Sequence, residues 1–161
     1  AVRQGQSLNI NVTATNQGSV SETFNVTAYA NTTTIGTPIE VTLASAESST
    51  IIFTWNTTGS AKGNYIISAV ATPVPGEENI ANNFLVDGTV MVVYPGDANQ
   101  DGAVNVLDAA AVSAHWYPGP PKGPLGYDPN FDLNSDGKID ISDLAIVSAY
   151  WTGPPKGPRD P

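Results

Sequence analysis

Asp97-Ala98-Asn99-Gln100-Asp101-Gly102-Ala103-Val104-Asn105-Val106-Leu107-Asp108 and Asp132-Leu133-Asn134-Ser135-Asp136-Gly137-Lys138-Ile139-Asp140-Ile141-Ser142-Asp143 are one pattern written twice. In both copies short oxygen-bearing side chains fall at positions one, three, five, nine and twelve, with glycine at six. Ca²⁺ is a hard cation that takes about six to eight oxygens, and a loop with this spacing supplies them. Position seven, Ala103 or Lys138, contributes only its backbone carbonyl, so its side chain is free to vary. Gly102 and Gly137 permit the sharp turn that wraps the first ligands around an ion. The pattern therefore predicts two Ca²⁺ ions. Asp97, Asn99, Asp101, Ala103, Asn105 and Asp108 would hold one, and Asp132, Asn134, Asp136, Lys138, Asp140 and Asp143 the other. The copies start thirty-five residues apart and each runs into an apolar helical pattern, which chance in an Asp-rich loop does not explain.

The helical patterns are Asp108–Trp116 and Asp143–Trp151, and they align almost residue for residue. From Gly96 to about Trp151 the chain resembles dockerin modules, which carry duplicated EF-hand-like loops, each followed by a helix and lacking the helix before it. Asp at position twelve, in place of the usual EF-hand Glu, is part of that resemblance. It implies a Ca²⁺-dependent fold that docks onto a protein partner, in the best-known cases a cohesin domain. In dockerins, positions ten and eleven of each loop help choose the cohesin. Here they are Val106-Leu107 and Ile141-Ser142, unlike the polar pairs common in cellulosomal dockerins.

Composition divides the chain in two. All nine acidic residues after Tyr94 are Asp, seven of them within the two loops, while Glu occurs only before Tyr94. Much of the net charge of −9 is thus local to the expected metal sites. A basic footprint for nucleic acid is absent. There is no Cys, hence no disulfide framework or thiol chemistry. No run of about eighteen apolar residues exists to span a membrane. The chain opens on Ala without a signal peptide and is read as a mature or trimmed product from which any secretion signal has gone.

Residues 1–95 read as an Ig-like antiparallel β-sandwich, and 96–161 as a small α-helical module with two Ca²⁺ loop-helix repeats and Pro-rich segments. In the first part apolar and polar residues alternate: Leu8, Ile10, Val12 and Ala14 against Asn9, Asn11 and Thr13, then Phe24, Val26 and Ala28 against Asn25 and Thr27. Further runs cover 39–43, 50–55, 64–71 and 84–94. Short alternating strands at this spacing argue for two packed antiparallel sheets. Gln4-Gly-Gln-Ser-Leu8, Asn16-Gln-Gly18, Glu22-Thr-Phe-Asn-Val26, Gly63-Asn-Tyr65 and Glu78-Asn-Ile-Ala-Asn-Asn83 give this part a resemblance to the CARDB family, Ig-like adhesion modules of prokaryotic surface proteins. Members usually carry a strand before the Gln-Gly turn, so two readings stand: a sandwich short of its first strand, with an edge or groove that another strand could fill, or a trimmed N-terminus.

Four Asn-x-Thr sequons, at Asn11, Asn25, Asn31 and Asn56, lie in the sandwich and are candidate N-glycosylation sites. Asn-linked glycans without Cys fit an archaeal surface. Tyr94-Pro95-Gly96 joins the parts without a flexible linker, which predicts a fixed relative orientation. Val104 and Ile139, at position eight, are expected to pair with each other and couple the two sites. Val106, Leu107, Ala110 and Val112 are expected to form the inner face of the first helix, and Ile141, Leu144, Ile146 and Val147 that of the second. Trp116 and Trp151 are expected to cap the small core, His115 and Tyr150 to face a partner, and Trp55 to sit in the sandwich core. Gly119-Pro-Pro-Lys-Gly-Pro124 and Gly153-Pro-Pro-Lys-Gly-Pro158 favour extended polyproline II, the first as a stiff spacer and the second as a docked tail. The single His serves no evident nucleophile or metal cluster, and the loop carboxylates are claimed by metal, so no enzyme is expected. The function that follows is a secreted or cell-surface, glycosylated, Ca²⁺-stabilised structural subunit. Its partners would be copies of itself in a head-to-tail filament or, alternatively, a cohesin-like domain.

Overall fold

The computed structural model describes residues 1–118 and 125–152. Both Gly-Pro-Pro-Lys-Gly-Pro segments, with what was expected of them, lie outside the described residues. Seven strands come first: β1 (Val2–Arg3), β2 (Ser7–Thr15), β3 (Glu22–Ala30), β4 (Thr33–Leu43), β5 (Ser48–Asn56), β6 (Gly63–Ala71) and β7 (Phe84–Val93). Two helices follow, α1 (Val106–Ala114) and α2 (Ile141–Ala149). Before α1 the described residues hold one turn of 3₁₀ helix, Ile80–Asn83. No helix among them is long and apolar enough to cross a membrane.

The strands form a mainly β, Ig-like sandwich of unequal sheets. The larger runs β1-β7-β6-β3-β4, and the smaller is β2 paired with β5 alone. Period-two alternation sends one face of each strand inward. Ile51, Phe53 and Trp55 of β5 meet Val26, Ala28 and Ala30 of β3 and Ile67 of β6 in one core. Trp55 is buried in it, with the Tyr65 ring edge-on at 5.1 Å. Asn16, in the Asn-Gln-Gly turn, is buried. Its amide donates to the Val20 and Leu43 carbonyls at 2.7 and 3.0 Å and accepts from Gly18 N–H at 2.8 Å, which fixes the β2–β3 connection. β1 is only two residues long and pairs in parallel with the end of β7. Buried Thr57 holds its return into β2, donating to the Gln6 carbonyl at 2.7 Å.

The second core is much smaller: Ala98, Val104, Val112, Ile139 and Val147, flanked by Tyr94, Ala109, Phe131, Leu133 and Leu144. Each helix starts two residues earlier than its apolar pattern suggests, because Asn105 and Asp140 act as N-caps with full capping boxes. The helix faces also differ from expectation. Val106, Leu107, Ala110 and Ile141 are exposed, while Asp108 and Val112, and Asp143 and Val147, point inward. Residues four apart share a helix face, so once the position-twelve carboxylate is buried, the residue four further on follows it.

Candidate metal centre

The two loops fold closely alike, differing in which N–H the position-twelve carboxylate takes from the start of its loop. At position one, the Asp97 carboxylate accepts from Asp101 N–H at 3.1 Å and Gly102 N–H at 2.8 Å. Asp132 accepts from Asp136 and Gly137 at the same distances. Gly102 and Gly137 hold φ of +93° and +84°, the left-handed region the turn needs. At position twelve, Asp108 accepts from Asn99 N–H at 3.1 Å and Asn105 N–H at 2.8 Å. Asp143 accepts from Leu133 N–H at 2.7 Å and Asp140 N–H at 2.8 Å. Position five accepts from position seven, Asp101 from Ala103 N–H and Asp136 from Lys138 N–H, both at 2.9 Å. Position nine accepts from position eleven, Asn105 from Leu107 and Asp140 from Ser142, both at 2.8 Å. Position three donates its amide to position five, Asn99 to Asp101 at 2.8 Å and Asn134 to Asp136 at 3.0 Å. Every residue expected to hold metal therefore lies in one of two matched loops.

Asp97, Asp108, Asp132 and Asp143 are all buried. Burial pushes the Asp97 carboxyl above its usual range, and the Asp108 and Asp101 carboxylates add to the rise, while N–H groups of Gly102 and Asp101 pull the other way. Asp101 is held below its usual range by the Ala103 N–H and the Asn99 amide, and Asp140 by Ser142. Among the described residues no three carboxylate, imidazole or thiolate groups converge on one point as a metal cluster. The carboxylates are turned onto their own loop amides instead. The donor chemistry nonetheless fits Ca²⁺: every side chain in the expected set that can donate is a carboxylate or an amide, with no nitrogen or sulfur ligand. Buried carboxylates are costly unless hydrogen bonds or a positive charge balance them; these are hydrogen-bonded, and a divalent cation would offset the cost further.

The pairing between the loops corrects an expectation. Val104 and Ile139 do not pair with each other. Ile139 pairs with Tyr117, beyond α1, and Val104 pairs with Thr152, beyond α2. Each loop is thus laced to the chain leaving the other loop's helix, and both residues reach the shared core from opposite sides. The ring residues are placed differently too. His115 stacks on Phe131 at 3.9 Å and Tyr150 on Tyr94 at 6.2 Å, and Tyr150 stays exposed beside that contact. Trp151 is exposed and Trp116 only half-buried, so neither closes the core as a cap.

Sequence reasoning missed three contributors. Tyr127 donates its hydroxyl to Asp132 at 3.0 Å, which raises the phenol's pKa. Arg3, buried in β1, donates to the carbonyls of Asp97 at 3.3 Å, Ala98 at 3.1 Å and Asn130. It thereby ties the sandwich to the first loop and to the approach of the second. Lys62 donates to the Gly102 carbonyl and lies 4.9 Å over the Tyr94 ring. Gly96 completes the junction, since a Cβ there would meet Ile146 O at 2.9 Å and Val147 Cα at 3.0 Å of α2. Of the sequons, Asn11, Asn31 and Asn56 are exposed and Asn25 is half-buried.

The model of the dockerin type I domain matches residues 95–152, and that of the CARDB family matches residues 1–87. No curated protein matches the chain. Two solved structures of the CARDB domain of the PF1109 protein from Pyrococcus furiosus are similar to the first part. One is a crystal structure in complex with di-metal ions, 28% identical over 57% of this chain and 78% of that one, with a TM-score of 0.48. The other is a solution NMR structure, 26% identical over 57% of this chain and 84% of that one, with a TM-score of 0.49. Dockerin domains bind calcium and cohesin-type protein partners. Both module types are adhesion- or binding-type, not enzyme families, and are typical of extracellular or surface proteins. With a CARDB match over more than half its length and a dockerin match directly behind it, the chain belongs to the CARDB family and carries a dockerin type I module at the end of its sandwich.

Proposed function

We propose that this protein is a secreted, N-glycosylated structural subunit of an extracellular assembly, with two bound Ca²⁺ ions stabilising its dockerin module. In this reading Asp97, Asn99, Asp101, Asn105 and Asp108, with the Ala103 carbonyl, hold one ion. Asp132, Asn134, Asp136, Asp140 and Asp143, with the Lys138 carbonyl, hold the other. Each ion supplies the positive charge that the buried carboxylates lack. Asn11, Asn25, Asn31 and Asn56 carry the glycans. The observation that carries the reading is the Arg3 junction, where one buried guanidinium binds three carbonyls around the metal loops. Two modules joined in that way form a stiff unit with distinct ends. Distinct ends suit a head-to-tail contact, which closes into a ring or runs on as a filament.

Negative-stain imaging of the purified protein, with Ca²⁺ and after chelation, tests this. Regular fibres that loosen on chelation are expected; dispersed single particles in both conditions contradict the assembly. A second reading, docking to a cohesin-like domain, is favoured by the exposed apolar residues Val106 and Ile141, which stand at the same position of the two repeats. It predicts tight one-to-one binding to a cohesin domain and no self-association.

A further inference from the structure

The position-one carboxylates of the two loops are held differently. In the first loop each oxygen of Asp97 accepts one bond, Oδ1 from Asp101 N–H at 3.1 Å and Oδ2 from Gly102 N–H at 2.8 Å. Asp132 repeats both contacts, Oδ1 with Asp136 N–H and Oδ2 with Gly137 N–H, and adds a third: the Tyr127 hydroxyl donates to Oδ2 at 3.0 Å. A carboxylate oxygen accepts about two hydrogen bonds, so Oδ2 of Asp132 is filled while Oδ1 keeps one lone-pair direction free. Asp97 keeps a free direction on either oxygen. Among the described residues no side chain donates to its carboxylate. The residue five before Asp97 is Val92, buried in the sandwich, and Arg3 reaches the Asp97 carbonyl instead.

The hydroxyl is set at that point by the segment before the second loop. Leu125 N–H donates to the Ala114 carbonyl at the end of α1, at 3.0 Å, and Gly126 turns the chain at a φ of +74°. The Tyr127 ring then lies against Tyr117, with centroids 5.5 Å apart. Asp128 closes the following turn, its carbonyl accepting from Phe131 N–H and its carboxylate from Asn130 N–H, both at 2.9 Å, and Arg3 holds the Asn130 carbonyl. Phe131 is itself stacked on His115. We propose that Tyr127 is a positioning residue of the second Ca²⁺ loop: its hydroxyl saturates one oxygen of Asp132 and so commits the other to the ion. Partners that orient a metal ligand in this way are typically worth about 10–100-fold in affinity. The second loop is thereby tuned by a side chain outside the ligand pattern, a device the first loop does without. The proposal deepens the reading that each loop binds one Ca²⁺ ion, and rests on it.

Tyr127→Phe removes the hydroxyl and keeps the ring against Tyr117. The position-six amides report the loops separately, because Gly102 N–H is bonded to Asp97 and Gly137 N–H to Asp132. Amide NMR of the full chain in chelator-buffered, sub-saturating Ca²⁺ therefore gives the ratio of the two singly loaded forms. That ratio equals the ratio of the site affinities however strongly the sites are coupled, since coupling enters only when both ions are bound. In the variant it moves at least ~10-fold towards the first loop. Ca²⁺ uptake at Gly102 in the same spectra shows that the variant's module is folded. A hydroxyl that only stabilised the module would weaken both loops together and leave the ratio as it was. An unchanged ratio in a chain that binds two ions therefore overturns the proposal alone. A wild-type chain in which neither Gly102 nor Gly137 responds to Ca²⁺ overturns the two-ion reading and the proposal with it.

Discussion

In the sandwich, Val26, Ile35, Ile51, Phe53, Trp55, Ile67 and Val92 are buried against one another, and the buried polar side chains Arg3, Asn16 and Thr57 are hydrogen-bonded. In the dockerin module four aliphatic residues and one Ala make the core, and four carboxylates are buried beside them. The first region excludes water from apolar surface and is stable by that means. The second has a far smaller apolar core and concentrates negative charge where desolvation opposes it, so in the proposed reading its stability depends on bound cations. The proposed function thus predicts two responses in one chain, a sandwich that keeps its fold without Ca²⁺ and a dockerin module that does not.

Removing both position-twelve ligands, Asp108→Ala with Asp143→Ala, should separate the two regions most. A Ca²⁺ concentration a thousandfold above Kd stabilises a folded site by about 4 kcal/mol. The double variant should therefore lose its helical circular dichroism at any Ca²⁺ concentration while keeping the strand signal. Breaking the junction comes next. Arg3→Met leaves three carbonyls without their charged donor, and should cost about 3 kcal/mol and split a single thermal transition into two. Gly96→Ala drives a methyl group into the α2 backbone and should cost about 1–3 kcal/mol, all of it in the helical transition seen by calorimetry.

The comparison can also be drawn between the two loops. The second carries four carboxylates against three, Asp140 standing where the first has Asn105. The extra charge predicts tighter Ca²⁺ binding by about 1 kcal/mol, roughly fivefold. Asp140→Asn should abolish that difference in titration calorimetry of single-site variants. The smallest effect belongs to Ile141→Thr, which lies on the exposed side of α2 and should shift stability by no more than about 0.5 kcal/mol.

What could be read in advance follows the physics of each region. Ligand spacing in the loops is position-specific, because each oxygen must reach one ion, so the matching fold of the two loops could be anticipated residue by residue. Period-two alternation made the strands legible for the same reason that it builds them. Helix orientation was not legible, since Val106, Leu107 and Ile141 look like core by hydrophobicity alone. It is the burial of Asp108 and Asp143 that turns them outward. Arg3 was beyond reach because its partners lie 94 to 127 residues away and are backbone carbonyls, which carry no sequence signal. His115 and Tyr150 were legible as equivalent positions, but the rings they stack on, Phe131 and Tyr94, come from unrelated segments.

Hydrogen exchange resolved along the chain, with Ca²⁺ and after chelation, tests the contrast most directly. The account predicts that α1 and α2 lose their protection on chelation while β3, β5 and β6 keep theirs. Protection that falls equally in both regions, or in neither, would contradict it.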